Sequence, residues 1–147
     1  MSAQQSSYAE IDGDRPALVL PGQYDVAFDR YYTWMMFGRA PKLTLCFRIM
    51  TMGEHFEKPI QRHYNVKKLI GRPATNGRFK VGFSCGFLRE FATLFGTPSR
   101  LDRIPMSNFE KHIFIAKVRT VSKGSGQREI PGGLHYSTIA ELTGIRQ

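Results

Sequence analysis

Residues 42–52 read KLTLCFRIMTM and carry the strongest pattern in the chain. Large apolar residues alternate there with polar or smaller ones, and this period of two is typical of a β-strand with one buried face. Burying such side chains contributes about 1.5–3 kcal/mol each, enough to anchor a sheet. We therefore predict a central strand whose opposite face, with Lys42, Thr44 and Arg48, is basic and solvated. The buried face is expected to hold Leu43, Leu45, Phe47 and Ile49.

Length and composition fit one globular domain. The 147 residues can bury a sizeable core, and no apolar run approaches the roughly 20 residues of a membrane-spanning helix. The opening MSAQQSSYAE lacks the apolar stretch of a signal peptide, so we expect a cytoplasmic protein. The two cysteines, Cys46 and Cys85, are expected to be reduced. We expect residues 1–20 to be a flexible lead-in and residues 21–147 to form the single domain.

The positive charge is concentrated in the middle of the chain. The net charge is +9, and residues 30–89 alone hold 12 Lys and Arg against two acids, Glu54 and Glu57. Outside this segment the acids slightly outnumber the bases. A field concentrated in this way suits a polyanionic partner, although a merely soluble basic surface is the simpler alternative.

Two further strands are predicted beside the central one, over residues 23–32 and 60–66, and Arg62 shares the apolar face of the latter. Between the first two strands, residues 33–41 hold the only Trp and a Phe, yet end in the Gly and Pro punctuation of a loop. Two roles stay open for this predicted loop. It is either a lid on the core or a contact surface.

A basic loop and a helix follow. Residues 67–80 contain five cationic residues with two Gly and a Pro, which predicts a mobile loop or a ragged hairpin around Asn76-Gly77. Residues 84–96 predict a helix with Ser84 as N-cap, Gly96 at its end and an apolar stripe led by Phe87 and Phe91. The stripe is expected to pack into the core.

The last third of the chain is less regular. Residues 97–110 show no pattern, and residues 111–121 predict a fourth strand. A turn over 123–126 and the start of a fifth strand over 128–130 are expected next. Residues 134–142 fit either a last strand or a short helix.

No catalytic or metal-binding motif is present. The four histidines are scattered without the spacing of a zinc site, and residues 71–77, GRPATNG, lack the Gly-Lys-Ser/Thr of a phosphate-binding Walker loop. No nucleophile elbow or paired-carboxylate motif is visible either. We therefore expect neither an enzyme nor a cofactor or metal.

Cations and aromatic residues interleave within residues 30–80. Single-stranded nucleic acid needs both, because cations track its phosphates and aromatic faces stack on its bases, each stack contributing about 1–3 kcal/mol. The coincidence with the charge excess makes this segment the candidate binding surface. Its candidate residues are Tyr32, Trp34, Phe37, Arg39, Lys42, Arg48, Arg62, His63, Tyr64, Lys67, Lys68, Arg72, Arg78 and Lys80.

The patterned segments follow one another as PGQYDVAF, KLTLCFRIM, GEHFEKPIQRHYNV, LREFATLFG, FEKHIFIAKVRTV and HYSTIAEL. This succession, spanning roughly residues 21–142, resembles small phage and mobile-element single-stranded-DNA-binding proteins with an OB-type fold. The resemblance lies in the order of elements and the hydrophobic pattern rather than in a diagnostic motif. It implies a five-stranded closed sheet with single-stranded DNA crossing strands two and three and the adjoining loops.

We therefore predict a mainly β, OB-like five-stranded barrel with one α-helix between strands three and four. The expected function is sequence-tolerant binding of single-stranded DNA in phage or mobile-element replication or recombination, with RNA left open as a ligand. The expected partners include replication or recombination proteins and further copies of the chain. The alternative is a small basic inhibitor or adaptor that binds an acidic protein surface through residues 34–37.

Overall fold

A computed structural model describes residues 18–121 and 136–147. Its strands and its α-helix follow the order predicted from the patterns, with a 3-10 helix added. The elements are β1 (Gly22–Met36), β2 (Ala40–Ile49), β3 (Pro59–Asn65), β4 (Lys68–Ile70), β5 (Arg78–Lys80), α1 (Gly86–Phe95), a 3-10 helix (Met106–Lys111), β6 (Ile113–Val121) and β7 (Tyr136–Ile145). The mainly β prediction with a single α-helix between β3 and β6 is confirmed for this part of the chain.

Five strands form one antiparallel sheet in the order β3-β2-β1-β6-β7, and β4 and β5 form a separate hairpin. The 15-residue strand β1 serves two partners, because its first half pairs with β6 and its larger second part with β2. A register shift between Phe28 and Arg30 leaves Asp29 as an extra residue in β1. Such a bulge bends a strand and increases its twist, which lets one strand belong to two halves of a curved sheet.

The sheet curls until its two outer strands approach each other. The antiparallel pairings make β3 and β7 run in the same direction, and Thr138 Oγ1 on β7 donates a 2.7 Å hydrogen bond to the carbonyl of Gln61 on β3. No backbone ladder joins β3 to β7 in the described residues, so the hydrogen bonds do not close a barrel there.

A buried carboxylate of α1 occupies the seam between β3 and β7. Glu90 is 6% exposed, and its Oε1 accepts hydrogen bonds from the Tyr64 hydroxyl at 2.7 Å and from the Leu142 amide at 3.2 Å. Arg62 on β3 donates hydrogen bonds from Nε and Nη2 to the two oxygens of the same carboxylate. One helix residue therefore ties together the two strands that the backbone leaves unpaired.

The core lies between the curled sheet, α1 and the 3-10 helix. Five phenylalanines are almost completely buried, and their rings meet edge to face or tilted at centroid distances of about 5–6 Å, the arrangement that aromatic quadrupoles favour. The predicted buried face of the central strand is confirmed, because all four of its alternating apolar residues are fully buried. Its opposite face is not solvated throughout, since Thr44 and Cys46 are buried as well. The five phenylalanines are Phe47, Phe87, Phe91, Phe109 and Phe114.

The predicted α1 is confirmed, with one error at its start. The apolar stripe packs into the core as expected. Ser84 is not the N-cap: that position is Cys85, whose side chain makes no capping bond and instead donates from Sγ to the carbonyl of Asn65 at 2.9 Å. Gly96 ends the helix with φ of 94°, a conformation in which a side chain would be strained.

The predicted loop over residues 33–41 is wrong. β1 continues to Met36 and β2 begins at Ala40, so only the turn between them is left. The turn is closed by a 3.1 Å hydrogen bond from Arg39 N to Met36 O, and its two central residues, Phe37 and Gly38, both have positive φ. This is the turn geometry that matches strand twist in a two-residue hairpin. Phe in place of the usual Asn or Gly concealed it in the sequence.

Three other boundaries are corrected. The fourth predicted strand is β6, which starts later than expected because the 3-10 helix occupies the residues before it. The ambiguous segment near the end is a strand, β7. Within the expected flexible lead-in over residues 1–20, Val19 is packed, since it is 3% exposed and its amide and carbonyl both bond to Ser137 Oγ. The rest of that prediction, over residues 1–17, lies outside the described residues. The expected turn over 123–126 and strand start over 128–130 lie outside the described residues.

Candidate nucleic-acid interface

The outer face of β1, β2 and β3 brings together four of the predicted site residues. In the strand register, Tyr32 lies opposite Thr44, and Thr44 lies opposite His63. The next row consists of Trp34, Lys42 and Asn65. Alternation places both rows on the face opposite the buried Leu43 and Leu45. Tyr32, Trp34, Lys42 and His63 therefore share one surface across three strands.

Thr44 is the centre of this face, although it was expected to be solvated. Its exposure is 0%, because the larger side chains around it cover it. The Trp34 indole donates from Nε1 to Thr44 Oγ1 at 2.9 Å, and Thr44 Oγ1 lies 2.8 Å from His63 Nδ1. An indole only donates, so the Thr44 hydroxyl accepts from Trp34 and still has its proton and a second lone pair for the bond to His63 Nδ1. Both rings are thereby fixed in orientation.

His63 is uncharged at neutral pH. Burial lowers the pKa of its imidazole to about 4, with further lowering from the positive charges of Arg62 and Lys42. Burial also raises the pKa of the Tyr32 hydroxyl, so this row of the face contains neutral rings. Flat, uncharged, partly buried rings are suited to stacking rather than to ionic contact.

Cations surround the aromatic row at the hairpin end of the sheet. Lys42 donates from Nζ to Asn65 Oδ1, a neutral partner that leaves its charge uncompensated. Arg39, Lys67 and Lys68 line a groove between the β1–β2 hairpin and β4. None of these four makes an ion pair within the described part of the chain. The surface beside the rings is therefore strongly positive.

The basic segment 67–80 is a hairpin pinned to β1, not a mobile loop. Thr33 N donates to Ala74 O at 3.0 Å, Asn76 N donates to Tyr31 O at 3.1 Å, and Tyr32 forms an isolated bridge with Thr75. These hydrogen bonds give partners to backbone groups of β1 beyond the point where its pairing with β6 ends. The predicted hairpin reading of this segment is confirmed as β4 and β5.

Gly77 makes this attachment possible. A Cβ atom there would collide with Thr33 Oγ1 and lie 2.9 Å from the Ala74 carbonyl, closer than real Cβ contacts. The absence of a side chain lets the loop lie directly on β1. Arg72 and Arg78, both exposed, are consequently held next to the strand that carries Tyr32.

Three predicted site residues are placed elsewhere. Tyr64 is 5% exposed and points into the core, bonded to Glu90, so its ring is not available for stacking. Arg62 lies over the Tyr64 ring, 4.2 Å from its centroid, and its charge is paired with Glu90. Arg48 pairs with Asp29 on the neighbouring strand. We leave these three residues out of the candidate surface.

Phe37 lies apart from the aromatic row, at the tip of the β1–β2 hairpin, where it is 74% exposed. Lys80 is partly exposed on β5 next to Lys68 in the register. Sequence reasoning missed Thr44, Asn65 and Gly77 as site residues. Only the first two had a usable signal, since both fall on the polar phase of their strands.

No group of three or more His, Cys, Asp or Glu in the described residues is arranged to hold a metal ion. No helix within the same residues is both long and apolar enough to span a membrane. No protein-family model, curated protein or solved structure matches this chain. The function must therefore be argued from the chain's own residues.

Proposed function

We propose that this protein binds single-stranded DNA with little sequence preference, in phage or mobile-element replication or recombination. The observation that carries the proposal is the juxtaposition of a ring cluster, Tyr32, Trp34 and His63 from two adjacent rows, with unpaired cations at the same end of the sheet. A single strand offers both binding partners at once, because its bases are unstacked and its phosphates accessible. Duplex DNA hides its base faces, so it is expected to bind more weakly.

We further propose that the five long strands form an OB-type barrel. The strand order, the common direction of β3 and β7 and their link through Thr138 and Glu90 support this assignment. In an OB-type fold the ligand crosses the second and third strands. Here that surface is the one that carries Lys42, Thr44 and His63.

Capture and stacking act in sequence in the proposed mechanism. Six cations attract the phosphates, and binding releases the counterions condensed on the DNA strand. These cations are Arg39, Lys42, Lys67, Lys68, Arg72 and Arg78. The bases then stack on the fixed rings. Since Trp34 and His63 are already oriented through Thr44, little side-chain freedom is lost on binding.

The rival proposal is a protein-binding adaptor. Phe37 supports it, because an aromatic side chain exposed at a hairpin tip could serve as a contact point for an acidic partner. A catalytic activity is not part of the proposal, because the sequence carries no catalytic motif.

Trp34 provides the test, because it is the only Trp and belongs to the ring cluster. Oligo-dT should quench its fluorescence, and Trp34→Ala should weaken binding by about 1–3 kcal/mol, the value of one base stack. Trp34→Phe keeps a stacking ring but loses the hydrogen bond to Thr44, so its affinity should lie between those of the wild type and Trp34→Ala. A duplex of equal length should bind more weakly to all three proteins.

Thermal unfolding of the same variants serves as the control. Absence of quenching in the wild type, together with unchanged affinity in a folded Trp34→Ala, would remove Trp34 from the site and shift the function towards the adaptor. A matched charge comparison completes the test. Lys67→Gln with Lys68→Gln should weaken oligonucleotide binding, whereas Lys117→Gln with Arg119→Gln, exposed cations on β6, should not.

A further inference from the structure

Exposed apolar side chains occur at both ends of the β1–β2 pair. Phe37 is 74% exposed at the hairpin tip, and Met52 is 79% and Phe56 36% exposed in the turn that follows the other end of β2. Leu20, 68% exposed, extends the second group, since its carbonyl accepts the Tyr24 hydroxyl and the Tyr24 ring meets His55 of that turn. Isolated exposed apolar residues such as Phe37 are common, but the three that gather at the other end form a patch of the kind that marks a contact surface.

The two groups cannot meet within one molecule. The ten residues of β2 separate them, which at about 3.3 Å per residue is roughly 33 Å. Only a second molecule can bring a tip and a turn together.

Their charges are of opposite sign. Arg39 follows Phe37 in the tip, and the bases of β4 lie beside it. Glu54 and Glu57, the only acids within residues 30–89, flank Phe56 in the turn and outnumber its single cation, Lys58. Neither glutamate makes an ion pair with a described residue. Two tips would repel each other, as would two turns, whereas a tip and a turn attract.

Both surfaces are held rigidly in unusual backbone conformations. Among the described residues, three that are not glycine have positive φ, and two of them are Phe37 at 54° and Glu57 at 67°. Glu57 is fixed by a 2.7 Å hydrogen bond from its amide to Ile49 O. Such strained residues cluster at functional contacts, and a preformed surface loses little entropy when it binds.

We propose that copies of this chain associate head to tail, with the tip of one molecule, Phe37 and Arg39, docked on the 50–58 turn of the next. Such an interface is heterologous, so it leaves a free tip at one end and a free turn at the other, and it propagates into a linear array. The proposal goes beyond DNA binding and is tested without DNA.

Sedimentation velocity of the full chain gives the first measurement. The wild-type protein should form species that grow with protein concentration and shrink as salt is raised, because the contact includes charges. Phe37→Ser and Met52→Ser should each require at least tenfold more protein to associate. Thermal unfolding shows whether either variant is damaged in its fold. A wild-type protein that stays monomeric at the highest concentration would overturn the proposal.

Mixing the two variants distinguishes the interface from a two-fold one. Phe37→Ser keeps an intact turn and Met52→Ser an intact tip, so an equimolar mixture should form dimers that do not grow further. A second mixture, Arg39→Glu with a Glu54→Arg, Glu57→Arg double variant, should associate more strongly than either variant alone. Failure of these mixtures to pair, or loss of association in only one of the serine variants, contradicts the head-to-tail arrangement.

Discussion

Thr44 shows how one buried hydroxyl organises a surface made mostly of rings. It lies on the polar phase of β2, yet its neighbours cover it completely. Through its two hydrogen bonds, Trp34 and His63 become parts of one rigid unit. Because the imidazole is buried within that unit, protonation of His63 is linked to the stability of the fold.

Acid should destabilise the protein through His63. Its folded pKa of about 4 lies below the unfolded value near 6.5, so between these values the unfolded chain binds more protons. The contribution is present above pH 6.5 and is lost as the pH falls towards 4. Urea unfolding should show a loss of about 2 kcal/mol between pH 7 and pH 5 from this residue.

His63→Gln supplies the comparison for this prediction. The variant keeps a polar side chain and removes the titrating group, while the other histidines and the carboxylates titrate as before. Its stability should therefore change less between pH 7 and pH 5 than that of the wild type. Equal changes in both proteins would show that His63 titrates normally.

At the scale of the element, Glu90 replaces a missing strand pairing. It receives hydrogen bonds from β3 and from β7, and the paired Arg62 supplies the compensating charge. A buried pair of this kind is costly to break, since the remaining partner stays charged without compensation. The pair between Arg48 and Asp29 lies in the same sheet, but it is exposed, so breaking it costs little.

Glu90→Gln should lower the free energy of unfolding by about 3–5 kcal/mol, because it leaves the Arg62 charge uncompensated at the seam. Asp29→Asn, the matched change in the exposed pair, should cost under about 1 kcal/mol. Chemical denaturation of both variants measures the difference. Similar losses in the two would mean that Glu90 does not hold β3 and β7 together.

Residues 71–77, the loop of the 67–80 hairpin that lies on β1, give a second prediction at this scale. Gly77→Ala should push residues 71–77 off β1, lower stability by about 1–3 kcal/mol and weaken oligonucleotide binding, because Arg72 and Arg78 lose their position. Gly82→Ala is the control, as its added Cβ would meet nothing within 4 Å. Binding that is unaffected in Gly77→Ala would detach the loop from the site.

The elements also show what a sequence can and cannot predict. The alternation in β2 predicts its buried face, because a register shift of one residue would turn all of its apolar side chains to the opposite face. The pattern of residues 33–41 predicts a loop instead of two strand ends, since Pro41 is unusual in a strand and Phe37 is unusual at positive φ. Arg62 was visibly on the apolar phase of β3, but its partner lies 28 residues away on a helix, a distance that no local pattern spans.

On the scale of the whole molecule, the charge excess separates into paired and unpaired parts. Arg48 and Arg62, both within the predicted basic segment, are neutralised by carboxylates. About half of the cations that make no ion pair among the described residues lie at the hairpin end, around the groove and in the 67–80 hairpin. The sequence alone placed the charge in the right segment, but only the fold shows which charges are available to phosphates.

Binding to single-stranded DNA should consequently depend on salt with a moderate slope. If about 4–6 phosphates are neutralised, log K against log[salt] should fall with a slope of about −3 to −4. Replacing the five cations of the 67–80 hairpin by Gln should weaken binding to all sequences alike and make the slope shallower, with nearly unchanged melting temperature. A wild-type slope near zero would contradict electrostatic capture. A slope unaffected by the five substitutions would place the phosphates elsewhere on the molecule. The five substituted residues are Lys67, Lys68, Arg72, Arg78 and Lys80.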